Sequence, residues 1–548
     1  MKDFLREIEA YALQNAIEFG KARESSVLPK LFQHGLEKNE IGQVIPLIKE
    51  IVNKVNKLDE KERLKKFESF QGIIKKREEK EKTLPELPGV KKGKKVVFRL
   101  APFPSGALHI GNAKTYILNA LYAKKYNGKI ILVMDDTIGS EEKPPLKEAY
   151  KLIEEAFKFL GIKYKDVLYK SDRLKIYYEY ANKLIEKNKA YVCHCSQKKL
   201  SENREKSLTC KCRHYSPSDQ MKRWEEMFKA KEGEAILRIK TDMKHPNPAF
   251  RDRVLFKISD RKHPRVGNKY RVWPSLEMSW AIDDHLLGIT HIIRGNDLTM
   301  ETEMEKYIWN IFGWNSPEVI HVGLVAIEGV KISKSKAQKE VKSGTFIGWD
   351  DPRTWSIQSL IRRGIKKEAI IEFVEEIGLN KHDITVPIEA LYAINRKMID
   401  ADSDRYSFVV NPVRISVSGL KVKELEVPVH PDKKHIRKIK VGDIYISEED
   451  FRKFKGKEVR LLHLCNLKIE KKTYVTSLEP KKELQKINWV SDGIKGRVLM
   501  PFGNWIEGFV EGGVNELKKN SVIQFERFGF VKFDKTNKGV YEFWFAHK

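Results

Sequence analysis

A histidine and a glycine in this chain stand at the start of a predicted helix, in a position where a phosphate group can bind. Residues 96–100 are apolar or β-branched around one arginine and predict a short buried strand. Two prolines and a glycine exclude regular structure from 102 to 106, and after His109 apolar residues recur at helical spacing. Unpaired backbone N–H groups and the positive end of the helix dipole attract anions at such a turn. The pattern therefore predicts a nucleotide phosphate site around His109 and Gly111.

A second segment suited to phosphate chemistry follows the predicted strand 319–327. The loop 330–336 carries Lys331, Lys334 and Lys336. Ammonium groups can neutralise a triphosphate as it loses its leaving group. The alternative is a solvated basic loop, which is the commoner role of such runs.

Four of the five cysteines form two Cys-x-Cys pairs, which together can supply the ligands of a zinc ion. The pairs are Cys193 with Cys195 and Cys210 with Cys212. Four thiolates would fill a tetrahedral shell, so the predicted site is structural. His194 or His214 could replace a cysteine, and four unligated thiols remain the alternative. Cys465 stands apart and is expected in a core.

The elements that must position these residues alternate between strand and helix patterns from residue 96 to 160. This alternation predicts a parallel, doubly wound sheet, and such sheets bind ligands at the carboxyl ends of their strands. Arg99 and Asp135 lie at the ends of two strands and His109 follows the first, so we expect all three around one crevice. For Asp135 the alternative is a solvated turn or a helix cap.

Different patterns flank the sheet. Residues 1 to about 75 predict helices, and the charged, proline-containing stretch from 75 to 95 has the composition of a linker. Beyond Asp404, short strand-like runs end in a clear hairpin at 521–546. They predict one or two C-terminal β-barrels.

The composition favours a large protein with a polyanionic partner. A chain of 548 residues should hold three or four domains, and its net charge of +28 suits nucleic acid. The alternative for the charge is a lysine-rich, thermophilic surface. The sequence has no apolar run long enough to span a membrane and no signal peptide, and its cysteines favour a reducing compartment. We therefore expect a cytoplasmic protein without membrane contact.

Two motifs together resemble the signatures of class I aminoacyl-tRNA synthetases. Ala101–Asn112 is similar to the HIGH signature, and Lys331–Ser335 to the KMSKS signature. The likeness extends to the glutamyl and glutaminyl subgroup, above all to the archaeal type of glutamyl-tRNA synthetase. It is carried by Arg99–Pro102, Asp135–Thr137, Ala281–Gly295, Gly348–Arg353 and Leu391–Asp400.

This resemblance implies ATP-dependent ligation of L-glutamate to tRNA(Glu) in protein synthesis. The α-carboxylate of glutamate attacks the α-phosphate of ATP, and a ribose hydroxyl of the tRNA then takes the glutamyl group from the adenylate. Mg²⁺ accompanies ATP, and His109 and Lys334 are the implied catalytic residues. The implied ATP-binding residues are Pro102, His109, Gly111, Asn112, Ser333, Lys334 and Ser335.

The choice of amino acid is implied by three further residues, Arg99, Asp135 and Arg294. A buried glutamate side chain requires paired cations, and Arg99 and Arg294 match the two arginines of the glutamyl enzymes. The glutaminyl enzymes typically lack the second arginine, and Asp135 matches the acid that takes the substrate's ammonium group. A glutaminyl-tRNA synthetase on the same fold is one alternative. A catalytically degenerate tRNA-binding paralogue is the other, because Leu276 occupies the place of a substrate-contacting tyrosine.

The expected fold is multidomain α/β plus all-β, built on a Rossmann-like parallel sheet. The implied domains are an N-terminal helical extension and linker at 1–90, the first half of the catalytic domain at 91–190, an inserted acceptor-end-binding domain with the zinc site at 191–270, the second catalytic half at 271–345, a helical stem-contact region at 346–403 and anticodon-binding β-barrels at 404–548. The expected partner is tRNA(Glu), with tRNA(Gln) as a second candidate, and we expect a monomer.

Overall fold

The computed structural model describes residues 4–37, 40–70, 72–74, 84–91, 93–138, 144–329, 334–470, 472–481 and 483–548, and it divides into two compact units, 1–83 and 84–548. The first unit is helical, with α1 (Leu5–Phe19), α2 (Glu24–Leu31), α3 (Ile41–Lys57) and α4 (Glu60–Glu68). Val44, Ile48, Val52 and Val55 of α3 are buried at helical spacing. Ile45, which the same pattern includes, is 44% exposed.

The second unit begins with a strand–helix alternation that an antiparallel insertion interrupts. Its elements up to residue 330 are β1 (Val97–Leu100), α5 (Ile110–Lys125), β2 (Lys129–Met134), α6 (Lys147–Phe159), β3 (Val167–Tyr169), α7 (Leu174–Glu186), β4 (Ala190–Cys193), α8 (Gln197–Glu205), α9 (Pro217–Met227), β5 (Ile236–Ile239), β6 (Val254–Ile258), β7 (Val272–Pro274), α10 (Leu276–Leu286), β8 (His291–Gly295), α11 (Thr299–Phe312), β9 (Glu318–Val322) and β10 (Val325–Ile327).

The central sheet has five parallel strands in the order β3-β2-β1-β8-β9. From β1 the chain builds outward to β2 and β3 on one side, and after the insertion it returns to β8 and β9 on the other side. The strand order therefore reverses between β1 and β8. In an open α/β sheet this is the point where a crevice forms at the carboxyl ends of the strands.

The insertion contributes its own sheet, in which β4, β5, β6 and β7 pair antiparallel in that order. Its strands share a core with α7, α9, α10 and α11, centred on buried residues such as Trp224, Phe256 and Trp273. In the chain, α10 precedes β8 and α11 follows it, so the core of the insertion includes the two helices that flank this strand of the parallel sheet.

The predicted strand 319–327 is divided into β9 and β10 at Gly323. A Cβ on Gly323 would lie 1.9 Å from the carbonyl oxygen of His382, so only glycine allows the backbone segments to approach this closely. The Gly323 carbonyl in turn accepts a hydrogen bond of 2.9 Å from Lys114 on α5.

A helical region follows, and then a long series of strands. The helical region holds α12 (Lys334–Lys342), α13 (Ile357–Arg363), α14 (Lys367–Ile377), β11 (Ile384–Val386) and α15 (Ile388–Ile399), with β11 paired to β10. The next elements are β12 (Arg405–Tyr406), β13 (Phe408–Val410), β14 (Pro412–Ile415), β15 (Val417–Ser418), β16 (Glu424–Pro428), β17 (Ile436–Lys440), β18 (Ile444–Ser447), α16 (Glu448–Lys453), β19 (Glu458–Leu461), β20 (Asn466–Lys468), β21 (Thr473–Ser477), β22 (Lys486–Ile487), β23 (Val490–Ser491), β24 (Ile494–Leu499), β25 (Trp505–Val510), β26 (Val522–Phe525), β27 (Gly529–Asn537) and β28 (Val540–His547).

The C-terminal strands form two main sheets with separate cores. Seven strands pair in the order β12-β26-β27-β28-β24-β25-β13, and five in the order β15-β21-β20-β19-β22. The predicted all-β region and its final hairpin are thus confirmed. Among the helices of the described residues, none is long and apolar enough to cross a bilayer.

Candidate active site and metal centre

The crevice between β1 and β8 contains a cavity of about 150 Å³. Arg99 and Arg294 lie on its wall at the ends of these two strands, and Gly111 and Asn112 lie on it at the start of α5. The structure therefore brings these four predicted site residues together. Trp280 of α10, which the sequence reasoning did not select, lines the same cavity.

Arg99 is buried and already holds a carboxylate. Its Nε lies 2.5 Å from Asp284 Oδ1 and its Nη2 lies 3.2 Å from Asp284 Oδ2. Burial acts to lower the pKa of Arg99, but the charge and hydrogen bonds of Asp284 outweigh it and the net shift is upward. The guanidinium carbon also lies 4.6 Å from the centre of the Trp280 ring, close enough for a cation–π contact.

Arg294 is paired in a different way. Its Nη1 and Nη2 donate to the two carboxylate oxygens of Glu305 at 2.9 and 2.8 Å, and Nη2 also donates to Thr302 Oγ1. Within the described part of the chain, its Nε is buried and has no acceptor. Burial raises the pKa of Glu305 to about 7, against the opposing charge of Arg294.

Asp135 lies at the end of β2 but faces Lys170 rather than the cavity wall. The two side chains are buried, with 3.0 Å between Lys170 Nζ and Asp135 Oδ1. Burial raises the pKa of Asp135 and lowers that of Lys170, and the attraction between the two charges opposes both shifts. Lys170 Nζ also lies 4.7 Å from the centre of the Trp280 ring. The solvated turn that was the alternative for Asp135 is thus excluded, because the carboxylate is 1% exposed.

His109 is the N-cap of α5, and its Nδ1 accepts a hydrogen bond from the backbone N–H of Asn112 at 3.3 Å. A neutral histidine whose Nδ1 accepts carries its proton on Nε2. Gly111 is needed for close packing here, since a Cβ would lie 3.1 Å from the Val325 carbonyl oxygen. The carbonyl of Pro102 accepts from the backbone N–H of Asp135 at 3.0 Å and thereby ties the turn to β2.

The KMSKS-like loop is described only in part. Residues 331–333, and with them Ser333, lie outside the described residues, as do the side chains of Lys334 and Ser335. The backbone of Lys334 begins α12. The predicted roles of Ser333, Lys334 and Ser335 therefore stay predictions from the sequence.

The four paired cysteines come together at the end of β4. The Sγ atoms of Cys193, Cys195, Cys210 and Cys212 all lie within 4.8 Å of one another. Zinc–sulfur bonds of about 2.3 Å place the sulfurs of a tetrahedral site about 3.8 Å apart, and Cys193 and Cys210 are 3.7 Å apart. Their hydrogen bond lowers the pKa of Cys210 to about 5 and, with burial, raises the pKa of Cys193.

The surroundings of the cysteine cluster also suit a metal bound by anionic sulfur. Arg223 Nη2 lies 3.8 Å from Cys212 Sγ, and Arg238 Nη1 lies 4.0 Å from Cys193 Sγ. Two guanidinium groups can balance the negative charge of a zinc ion bound by four thiolates. The two histidines have other partners: His194 Nδ1 contacts the Glu234 carbonyl at 3.0 Å, and His214 Nε2 contacts Thr209 Oγ1 at 3.2 Å. Four cysteines therefore fit zinc without a histidine.

Sequence reasoning missed the residues that compensate the charges of the site. These residues are Lys170, Asp284 and Glu305. Trp280 was missed as well, and its ring lies beside the three cations of the site, Arg99, Lys170 and Arg294. Asp284 follows Asp283 in the last turns of α10, and this acidic pair is a signal that could have pointed to an arginine partner. Glu305 stands in the middle of α11, and no local pattern marks it.

Models of known families match three consecutive parts of the chain. The description "tRNA synthetases class I (E and Q), catalytic domain" matches residues 95–401, and two anticodon-binding domain models of the same class match 403–484 and 480–534. The parallel sheet with its crevice at the strand reversal agrees with that class. The chain belongs to the class I tRNA synthetases for glutamate and glutamine.

Within that family, several relatives that match this chain over nearly its whole length are glutamate–tRNA ligases. The glutamate–tRNA ligase of Methanocaldococcus jannaschii is 40% identical over 98% of this chain and 99% of that protein. Those of Pyrococcus furiosus and Pyrococcus abyssi are 41% and 42% identical, in each case over 98% of both chains. The archaeal glutamyl type that the sequence motifs indicated is thereby confirmed.

Proposed function

We propose that this chain ligates L-glutamate to tRNA(Glu) in protein synthesis, through glutamyl-adenylate, with ATP converted to AMP and diphosphate. Relatives named glutamate–tRNA ligase match it over nearly its whole length. The observation that carries the proposal is the pair of buried arginines, Arg99 and Arg294, on the wall of one cavity at the strand reversal. An anionic side chain is the substrate feature that such a pair recognises.

The chemistry requires positioning and charge stabilisation without a covalent enzyme intermediate. His109 Nε2 donates to the phosphates of ATP at the N-terminus of α5, where the helix dipole also favours an anion. Gly111 lets the nucleotide approach the backbone, and Lys334 stabilises the charge that develops on the α-phosphate. Mg²⁺ would accompany ATP and would supply charge neutralisation on the phosphates.

The cysteine cluster holds a structural zinc ion in this proposal. Zinc would tie the end of β4 to the segment before α9 and so stabilise the inserted domain, which receives the acceptor end of the tRNA. The support is the set of four sulfur donors and their mutual distances of at most 4.8 Å.

The remaining assignments concern the tRNA and the setting of the enzyme. The β-barrels after residue 404 bind the anticodon, in line with the family models that match there. The net charge of +28 suits that polyanionic partner. We further propose that the protein is cytoplasmic and monomeric, and that tRNA(Gln) is a second candidate substrate.

One observation favours glutamine as the alternative amino acid. Asp284 and Glu305 already neutralise Arg99 and Arg294, so the cavity wall has no surplus positive charge from these pairs. The neutral side chain of glutamine would not have to compete with the carboxylates of Asp284 and Glu305 for the two arginines, as the carboxylate of glutamate would.

Charging assays separate these readings. Purified protein is incubated with ATP, Mg²⁺ and either tRNA(Glu) or tRNA(Gln), with labelled glutamate or glutamine. The proposal expects glutamate on tRNA(Glu), whereas charging with glutamine alone would overturn it. Tight tRNA binding without charging by either amino acid would identify a degenerate paralogue. Labelled glutamate on both tRNAs would establish the second tRNA substrate.

A further inference from the structure

Trp280 occupies the centre of the charged groups around the cavity. It is 4% exposed and lies on α10, one turn before Asp284. The centre of its ring lies 4.6 Å from Arg99 Cζ, 4.7 Å from Lys170 Nζ and 5.4 Å from Arg294 Cζ. Each of these cations holds a different carboxylate, so the indole ring is a common surface for three buried ion pairs.

The hydrogen-bonding capacity at this place is incomplete. Within the described residues, the donors Trp280 Nε1 and Arg294 Nε are buried and have no acceptor, and the amide oxygens of Asn112 and Asn119 are buried and have no donor. All four residues line the cavity. A buried polar group without a partner is costly, so a ligand that fills the cavity is expected to supply partners, and the two donors require acceptors.

The chemistry of the two donors selects between the two candidate amino acids. A carboxylate presents two acceptor oxygens, so it can accept from both N–H groups at once. The amide of glutamine presents one oxygen and an NH₂ group, and the NH₂ would face a second donor. A site that leaves a buried donor unpaired disfavours that substrate strongly. Neutralised arginines are therefore compatible with glutamate, because selection depends on donors rather than on net charge.

We infer that Trp280 is a specificity-determining residue, whose Nε1–H donates, together with Arg294 Nε–H, to the side-chain carboxylate of the bound amino acid. This inference rests on the proposed function and adds to it a residue that the family motifs did not indicate. The ring of Trp280 also positions Arg99, Lys170 and Arg294 around the substrate.

The test is Trp280→Phe, which removes the N–H and keeps an aromatic ring next to the cations. In tRNA-dependent charging assays the KM for glutamate should rise about 10-fold to 100-fold, as expected for one lost hydrogen bond to a charged group. The KM for ATP should stay within about twofold, because the phosphate site is unchanged. The preference for glutamate over glutamine should fall by the same order as the glutamate KM rises.

Trp273→Phe is the matched control. Trp273 is also fully buried, and its Nε1 also has no acceptor among the described residues, but it stacks on His263 and does not line the cavity. This control should leave the KM for glutamate and the amino-acid preference unchanged. A melting curve of each variant shows whether folding is retained, and Trp280→Tyr is the second variant if the phenylalanine protein unfolds.

The outcomes separate this inference from the proposed function. If the wild-type protein does not charge tRNA with glutamate, the proposed function fails. If it does, and Trp280→Phe has wild-type KM values and preference, the inference alone is overturned. Equal increases in the KM for glutamate and glutamine would also overturn it, since they would show a role in shape rather than in side-chain selection.

Discussion

The cysteine cluster and the cavity between β1 and β8 differ in how their charges are balanced. The cluster combines four sulfur donors, all within 4.8 Å of one another, with two nearby guanidinium groups. In the cavity, Arg99, Lys170 and Arg294 each have a carboxylate partner, and among the described residues the donors Trp280 Nε1 and Arg294 Nε are left without an acceptor. The first arrangement suits a metal ion. The second suits an anion that is recognised by donor geometry within an electrically balanced wall.

The largest effect that would test this difference is expected at Arg294. Arg294→Ala leaves Glu305 buried without its partner and removes the Nε–H donor. We expect kcat/KM for glutamate to fall by about 100-fold to 1000-fold, since truncating one partner of a buried charge pair at a binding site costs about 2–5 kcal/mol of binding free energy. The change in the KM for ATP should be far smaller. Steady-state charging kinetics measure both quantities.

Lys151→Ala is the control for that substitution. Lys151 forms an ion pair with Glu155 on the exposed surface of α6, where its side chain is 84% exposed. Such pairs contribute little, so charging kinetics should be those of the wild type. Equal effects of Arg294→Ala on the KM for glutamate and for ATP would show that the cavity does not select the amino acid.

The next effect concerns the cysteine cluster. Elemental analysis of the purified protein should give close to one zinc per chain, and Cys210→Ala should give close to none, with a lowered melting temperature. Cys465→Ala should keep the zinc, because Cys465 is buried in the core of the five-stranded C-terminal sheet, far along the chain from the cluster. A zinc content near zero in the wild-type protein would show that the cysteine cluster does not bind zinc.

A pH profile tests whether Glu305 competes with the substrate for Arg294. Burial raises the pKa of Glu305 to about 7. Below that pH the protonated carboxyl leaves the Arg294 charge available, and above it the carboxylate competes with bound glutamate. We therefore expect the KM for glutamate in tRNA-dependent ATP–diphosphate exchange to rise several-fold between about pH 6 and pH 8. Glu305→Gln should remove this rise, and a flat wild-type profile would contradict the competition.

The smallest effect is expected at Gly111, which lines the cavity at the start of α5. In Gly111→Ala the new Cβ would lie 3.1 Å from the Val325 carbonyl oxygen and 3.2 Å from His109 Nδ1. We expect the KM for ATP to rise about 3-fold to 10-fold, with a smaller change in the KM for glutamate. Ala123→Gly, at the far end of α5, is a control that weakens the helix without approaching the cavity. A larger effect on glutamate than on ATP would place Gly111 in the amino-acid site.

Much of the framework could be predicted from local sequence patterns. The strand, the proline-rich turn and the helix after His109 are short-range features, and the structure has β1 and α5 at those places. The cysteine pairs could be recognised for the same reason, since both lie within one segment of 20 residues. Local periodicity was less reliable for Ile45, which lies at helical spacing from the core residues of α3 but remains exposed.

The partners of the charged site residues could not be predicted because they come from distant elements. Asp284 is 185 residues from Arg99 along the chain, and Asp135 meets Lys170 only after β2, α6 and β3 have formed. Trp280 is recognisable as important only when three cations are seen around its ring. Packing of separate elements, rather than residue spacing, decides which buried charge compensates which.

A crystal structure with a non-hydrolysable glutamyl-adenylate analogue would show which groups hold the substrate's side chain. We expect the side-chain carboxylate of the analogue in the cavity between β1 and β8, within hydrogen-bond distance of Trp280 Nε1 and Arg294 Nε, with the adenylate phosphate at His109. An analogue whose carboxylate lies elsewhere, with both donors still unpaired, would contradict this expectation.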